Sequence, residues 1–503
     1  MKKIISILTL STLVLSGCVK EFKPSDAITT ETLVQTKEGL TSAVNGAYAL
    51  FKDHVGFGGS VDDNLMYLRQ YYHLSDFASD DIVCGQTTTD PLFYSFTLDH
   101  SPTQTNSRYF WYISYKIIND ANTVIEAASK ISNPDAEINQ LVGECYFLRA
   151  FAHFNLVRIF AKPYTVDPNA AGVILRMSTS EESLKARSTV QEVYDAVIAD
   201  ALQAETLMAS PRGNTYASKE AAEALLSRVY LYKEDNDNAI TYSNKVINSG
   251  RFTLASKESF PGLFANAQSG SETIFCLAFT TLDDYKKFGS IASMIYSDDN
   301  GSGWGEEYAS QSLRDTMSSN TNDVRWSYIT PLKVDGVVQK KNGIEIYYIS
   351  KFSGQGGSPT LSSPIMFRLA EMYLNKAEAE AKKGDVTGAL ADVDMIREKR
   401  GLEDDLYDGT LPSGKSALDI VLKERRIELA FEGHRVFDVY RNKQTMNRTY
   451  WGYHLPGLKE TDIDLTKQPT GYANTMTAYT SDRIIYYLPI DEIQSNTLCT
   501  QNP

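Results

Sequence analysis

The chain is poor in the side chains that carry most metal and nucleophile chemistry. It holds five cysteines and six histidines in 503 residues. The cysteines at 18, 84, 145, 276 and 499 are far apart and form no C-x-x-C pair. The four after position 18 leave three pairings open. Cys145 falls inside a helical pattern and reads as a buried apolar residue. No two histidines stand four apart, which argues against a helix-borne zinc site. No nucleophile elbow, phosphate-binding loop or dinucleotide fingerprint occurs. Only one apolar run is long enough to matter, so a polytopic membrane protein is excluded. Positive charge is short as well: Lys plus Arg is 49 against 63 Asp plus Glu, a net charge of -14, which works against nucleic-acid binding. Aromatics are plentiful, with Tyr 30, Phe 21 and Trp 4. Tyrosine joins a flat apolar face to a hydroxyl, which suits a wet, adhesive surface.

The single apolar run is N-terminal. Lys2 and Lys3 precede an apolar stretch from Ile4 to Leu15, followed by Leu15-Ser16-Gly17-Cys18. A stretch this short does not span a bilayer of about 30 Å. It reads as an export signal over 1–17 that ends in a bacterial lipobox, with Cys18 the lipidated residue. Residues 18–30 read as a tether, and Lys20-Glu21 resembles a surface-export tag with only one acid. Residues 31–503 read as a single composite domain.

Three/four spacing of apolar residues predicts helices over 36–52, 107–130, 136–160, 189–209, 217–233, 237–249, 365–383, 385–400 and 415–440. In 136–160 two apolar stripes coexist, so that helix should be covered on more than one side. Residues 217–249 and 365–400 both read helix, short turn, helix. Aligning Ala239 with Ala389 places Ser227 over Ala377, small residues that allow close helix crossing. The unit resembles a degenerate tetratricopeptide repeat. The same pairing is expected of 136–160 with 189–209 and of 36–52 with 107–130. The fold class is therefore mainly α: tetratricopeptide-like repeats with large loop and β-hairpin insertions at about 56–106, 281–363 and 441–482. Alternation over Ile344-Glu345-Ile346-Tyr347-Tyr348-Ile349 marks β structure in the second insertion.

Five segments in order resemble the SusD/RagB family of nutrient-uptake lipoproteins. They are Trp111-x-x-x-Tyr115-x-x-Ile118-x-x-x-Asn122; Gly143-Glu144 with Leu148-Arg149-Ala150; Arg368 to Ala379; Glu424 to Arg435 with Asp438; and Leu488-Pro489-Ile490 with the Gln501-Asn502-Pro503 ending. The tail departs from the pattern, with Asn496-Thr497 in place of Asn-Pro and no Gly-Tyr after Pro503. The resemblance implies a lipid-anchored protein at the outer membrane, facing the cell exterior. It would bind oligosaccharide, without enzymatic activity, and deliver it to a SusC-like TonB-dependent transporter. A peptide-binding uptake role or a surface glycoside hydrolase are the alternatives. Acid pairs such as Asp80-Asp81, Asp283-Asp284, Asp298-Asp299 and Glu306-Glu307 would serve hydrolysis only at the right separation.

The acids and arginines of 424–438 look catalytic at first sight. Their three- and four-residue separations predict ion pairs along one helix instead. The loop Asp298-Asp299-Asn300-Gly301-Ser302-Gly303-Trp304 imitates the start of a calcium loop, with oxygens at Asp298, Asn300 and Ser302. The bidentate acid expected at its twelfth position is replaced by Ala309, which favours a flexible Gly/Asp turn over a calcium site; no cofactor is expected, calcium being the one alternative. Trp304 has no apolar neighbours in sequence and is the leading candidate for an exposed sugar platform, with Tyr285, Tyr296 and Tyr308 in the same insertion. The first insertion offers a comparable cluster: Asn64, Tyr67, Tyr71, Tyr72 and Asp76. The resemblance implies that the two insertions together build the ligand face.

Overall fold

A computed structural model describes residues 34–60, 65–85, 93–341, 343–448 and 476–503. Cys18, Asn64 and most of the 441–482 insertion lie outside the described residues. In chain order the principal helices are α1 (Lys37–Ala49), α2 (Tyr67–Ser75), α3 (Thr105–Ala128), α4 (Ala136–Phe160), α5 (Val190–Leu207), α6 (Lys219–Lys233), α7 (Asn236–Ile247), α8 (Ile291–Ile295), α9 (Leu369–Lys383), α10 (Val386–Lys399), α11 (Ala417–Glu428), α12 (Arg435–Arg441) and α13 (Ile490–Ser495).

Local chemistry starts most of them. Asp135 accepts from the Ile138 N–H at 2.8 Å to open α4, and Thr189 forms a capping box with Glu192 at α5. The α6–α7 and α9–α10 turns share one design. A left-handed residue, Glu234 (φ 60°) or Gly384 (φ 85°), ends the first helix. An aspartate, Asp235 or Asp385, then caps the second. The aspartate N–H donates back to the Tyr230 or Glu380 carbonyl, which closes the first helix.

The predicted pairings form. α1 packs on α3, and α3 to α7 stack in sequence; α9 then joins α7 and carries α10 and α11. Where α6, α7 and α9 meet, Ser227, Ser243 and Ala377 are fully buried, and the two serine hydroxyls lie 2.8 Å apart. α4 is buried on nearly every side over its second half. Phe147 and Phe151 meet a two-stranded antiparallel sheet through Phe367, and Phe147 also reaches Phe275. The strands described are all in antiparallel pairs: β1 (Ile82–Cys84), β2 (Thr273–Cys276), β3 (Glu307–Ala309), β4 (Ile329–Pro331), β5 (Tyr347–Ile349) and β6 (Ile365–Arg368) pair β1–β3, β2–β6 and β4–β5, Thr445–Asn447 pairs with Met476–Ala478, and two short hairpins lie within 333–345. Cys84, Cys145, Cys276 and Cys499 are all buried, and burial pushes the Cys276 thiol up to about 12.

Two sequence expectations change. Residues 365–368 begin as strand β6, not helix. The 415–440 helix is two helices, because Phe431 (φ 68°) and Gly433 (φ 77°) turn the chain between α11 and α12. A side chain at 433 would stand 2.7 Å from the Tyr71 ring, so glycine meets both the backbone angle and the close approach.

This break redirects the charged side chains. Only Asp438–Arg441 pairs along the helix as spacing predicts. Glu428 accepts from Arg325, Arg368 and Arg400, and Glu432 from Arg368 and Lys351. Glu424 takes Arg325 and Arg397; Glu272 takes Arg368 and Arg400. Arg435 turns away to Asp80 at 2.7 Å. Burial opposes the Glu428 charge, yet Arg400, Arg368 and Arg325 outweigh it and hold the carboxyl well below its usual range. Glu378 and Asp438 share Arg425 and Arg441; burial opposes both, but the arginines, with Lys382 on Glu378, depress each to about 2. These acids are structural anchors that join the repeat array to the insertions.

Candidate exposed aromatic site

Trp304 sits on a loop whose backbone is pinned. Its N–H donates to the Ser293 carbonyl at 2.6 Å, the Gly305 N–H to the same oxygen, and the Glu306 N–H to Met294. Gly303 packs so closely beneath α8 that a Cβ there would lie 2.1 Å from the Tyr296 carbonyl oxygen. Gly305 (φ 54°) would collide with the Tyr348 ring in the same way. The glycines that isolate Trp304 in sequence therefore allow its loop to close onto a buried helix. The indole remains 46% exposed.

Phe288, 59% exposed, meets Trp304 edge-to-face at 6.0 Å. The Lys287 ammonium lies over the indole, 4.3 Å from its centroid. Leu282 is almost fully exposed on the preceding turn. Exposed Asp299 and Asn300 stand in the turn before Trp304. The arrangement offers flat apolar area, one cation and short polar side chains, on a backbone that needs no ordering to present them. Sequence reading missed Phe288 and Lys287, because they are separated from Trp304 by α8; an apolar residue flanked by lysines and glycine was the available signal.

The other candidates divide. Tyr296 is half-buried, its ring 5.9 Å from Tyr348. Tyr285 is half-buried against the His54 ring at 4.1 Å. Tyr308 is buried on β3, paired with Val83, its ring against Gly85. The first-insertion cluster is a correction: Tyr67, Tyr71, Tyr72 and Asp76 lie in or just after α2, a helix inside the core, and each is at most 2% exposed. The Tyr67 hydroxyl accepts from Asn155 at 2.9 Å, and Tyr71 from Arg158 at 3.3 Å. Tyr72 packs on Phe352. Asp76 accepts the Gly433 N–H at 2.9 Å, and burial pushes its carboxyl well above the usual range. Tyr71 and Asp76 meet Gly433 at the α11–α12 break, and none of the four presents a face to a ligand.

The calcium-like turn is closed by its own backbone. One Asp298 oxygen accepts from the Asn300 and Ser302 N–H groups at 3.0 and 3.1 Å. Asn300 points to solvent, while the Ser302 hydroxyl is buried. Among the described residues no group of three or more His, Cys, Asp or Glu side chains gathers in a metal-holding arrangement. Two of the four acid pairs are engaged: Asp80 and Asp81 with Arg435 and Arg426, Asp283 with Lys52, and Asp284 with Ser358 and Thr360.

With this geometry described, comparison with known proteins is informative. The sequence model of the SusD family matches residues 241–503, more than half of the chain. The chain belongs to the SusD family. A second model, SusD-like and described as "Starch-binding associating with outer membrane", matches residues 23–231. A SusD-like protein of Formosa agariphila is 26% identical over 485 residues, covering 86% of this chain and 90% of its own length. A SusD superfamily protein of Bacteroides thetaiotaomicron superposes with a TM-score of 0.80 at 27% identity, over 93% of this SusD-like chain and 100% of its own. A putative sugar binding protein of Bacteroides vulgatus follows at 0.77 and 27%, over 92% and 98% of the two chains. Among the described residues, no helix is long and apolar enough to cross a membrane.

Proposed function

We propose that this SusD-like chain captures oligosaccharide at the outer-membrane surface and passes it, without chemical change, to a SusC-like TonB-dependent transporter. A lipid on Cys18 would hold it there, facing the cell exterior. The observation that carries the reading is Trp304: a tryptophan 46% exposed on a backbone fixed by three hydrogen bonds. A pyranose has a face of C–H groups that packs on an aromatic ring, and its hydroxyls seek groups such as Lys287, Asp299 and Asn300. Covering that apolar ring face contributes about 25 cal/mol per Å² removed from water. The family description and the sugar-binding solved relative support carbohydrate as the ligand class. The pairing of Asp80, Asp81, Asp283 and Asp284 supports capture over hydrolysis. Calcium at Asp298, Asn300 and Ser302 would be an accessory to the same loop; a change of melting temperature with added calcium, lost in Asp298→Ala, tests it.

The function is tested by calorimetric titration of the lipid-free protein with neutral glucan oligosaccharides, alongside co-purification with a SusC-like transporter. Saturable binding with no change in the sugar is expected. Cleavage of the oligosaccharide would overturn the reading.

A further inference from the structure

A second concave site lies on elements that do not build the Trp304 loop. It is a cavity of about 430 Å³ between α3, the 174–181 segment and α13. That volume falls within the range of small-ligand sites, about 300–1,000 Å³. Trp111 and Tyr115 form its floor, their rings 4.9 Å apart. Tyr112 rises at the rim, 37% exposed, and tilts against Phe57 at 5.2 Å.

The polar atoms of the floor are occupied. The Trp111 indole N–H donates to Glu492 at 3.3 Å, and the Tyr115 hydroxyl donates to the Ile174 carbonyl at 2.7 Å. Neither the indole N–H nor the hydroxyl is left over for a ligand, so what these two residues offer the cavity is apolar ring surface. The charged side chains around it are engaged, two in ion pairs and two in hydrogen bonds to neutral groups. Arg108 pairs with Asp491 at 2.7 Å, and Glu181 with Lys185 at 2.7 Å. Arg176 donates to the Ser183 carbonyl at 2.6 Å, and Glu492 accepts from Asn496 at 2.8 Å. A charged ligand would have to compete with these ion pairs and hydrogen bonds to gain its own. A neutral ligand with C–H faces and hydroxyls breaks none, and finds the exposed Asn119 amide and the outer edge of Asp491 at the rim. Its walls are helices and a loop, so no strand edge is available to an extended peptide backbone.

We propose that this cavity is a second, independent saccharide site for one or two neutral sugar rings, with Tyr112 as its exposed stacking residue. It shares the carbohydrate reading above but none of the residues of the Trp304 platform. Two sites on one molecule would grip a chain more tightly than either alone when one chain spans both.

The test is calorimetric titration with maltoheptaose and laminariheptaose, and with an acidic galacturonate oligomer, of the wild type, Trp304→Ala, Tyr112→Ala and the double variant. Melting temperatures are measured in parallel. The expected result is neutral-sugar binding to the wild type, a residual class of sites in Trp304→Ala, and its loss, by roughly tenfold or more in affinity, when Tyr112→Ala is added. Binding abolished by Trp304→Ala alone and indifferent to Tyr112→Ala would overturn the second site and leave the first. Binding lost with Tyr112→Ala and unchanged by Trp304→Ala would uphold the second site and overturn the first. A Tyr112-dependent preference for the acidic oligomer would overturn the neutral assignment, and no binding by the wild type would overturn both sites.

Discussion

Glu428 is the anion on which the buried network turns, and Glu428→Gln is its sharpest perturbation. The side chain is fully buried and receives Arg325, Arg368 and Arg400 at 2.6 to 3.2 Å. Removing one partner of a buried ion pair costs about 3–5 kcal/mol, since the remaining charge is left without compensation. Here each arginine keeps another carboxylate: Arg325 keeps Asp323 and Glu424, Arg368 keeps Glu272 and Glu432, and Arg400 keeps Glu272. The loss should therefore sit at the lower end, about 3 kcal/mol. Glutamine preserves the shape, so packing contributes little. Urea unfolding followed by circular dichroism measures it, as a shift of midpoint at unchanged slope. The difference should persist from pH 7 down to about pH 4.5, because the carboxyl is held well below its usual range and stays ionised. A loss under about 1 kcal/mol, or one that disappears by pH 5, would refute the network as described.

Three further outcomes follow from local geometry. Glu234→Gly should raise stability by about 0.5 kcal/mol in thermal melts, since a left-handed residue with a Cβ gives way to one without; the exposed Lys382 pair offsets little. Gly303→Ala should displace the Trp304 loop, shifting tryptophan emission and weakening ligand binding, with a destabilisation of about 1–3 kcal/mol. Burial, with Asp392, raises the Glu380 carboxyl to about 7, so its folded form resists the charge that the unfolded chain accepts from about pH 4.3 upward. Stability from this group is present at low pH and lost as pH rises to about 7, so Glu380→Gln should raise the melting temperature at pH 8 and leave it little changed at pH 4.

The helical array was legible because its signals are local. The three/four periodicity of α4 to α7 and of α9 and α10, and the Asp-capped turns at 235 and 385, all lie within one or two turns of chain. Trp304 was legible for a related reason: glycines and acids on both sides leave it no local apolar partner. Misread positions depended on distant ones. Tyr67, Tyr71 and Tyr72, mixed with Arg69 and His73, look like a wet cluster. They are buried because Arg158, Asn155 and Gly433 approach from far along the chain. The 424–438 acids were rightly assigned to scaffold but given the wrong partners. Gly433 was the visible warning of a break; Asp80 and Arg368 as partners could not be seen from spacing. The Trp111 motif stood out in the sequence as part of the family resemblance, and only the fold brings α13 beside it to make a cavity.

The central claim is capture of sugar by a preformed aromatic platform, and the affinity of Trp304→Ala for a bound glucan oligosaccharide tests it most directly. The account predicts binding weakened by roughly tenfold, equivalent to about 1.4 kcal/mol, with the melting temperature unchanged because the indole is half exposed. Affinity equal to that of the wild type, or a large fall in melting temperature, would contradict it.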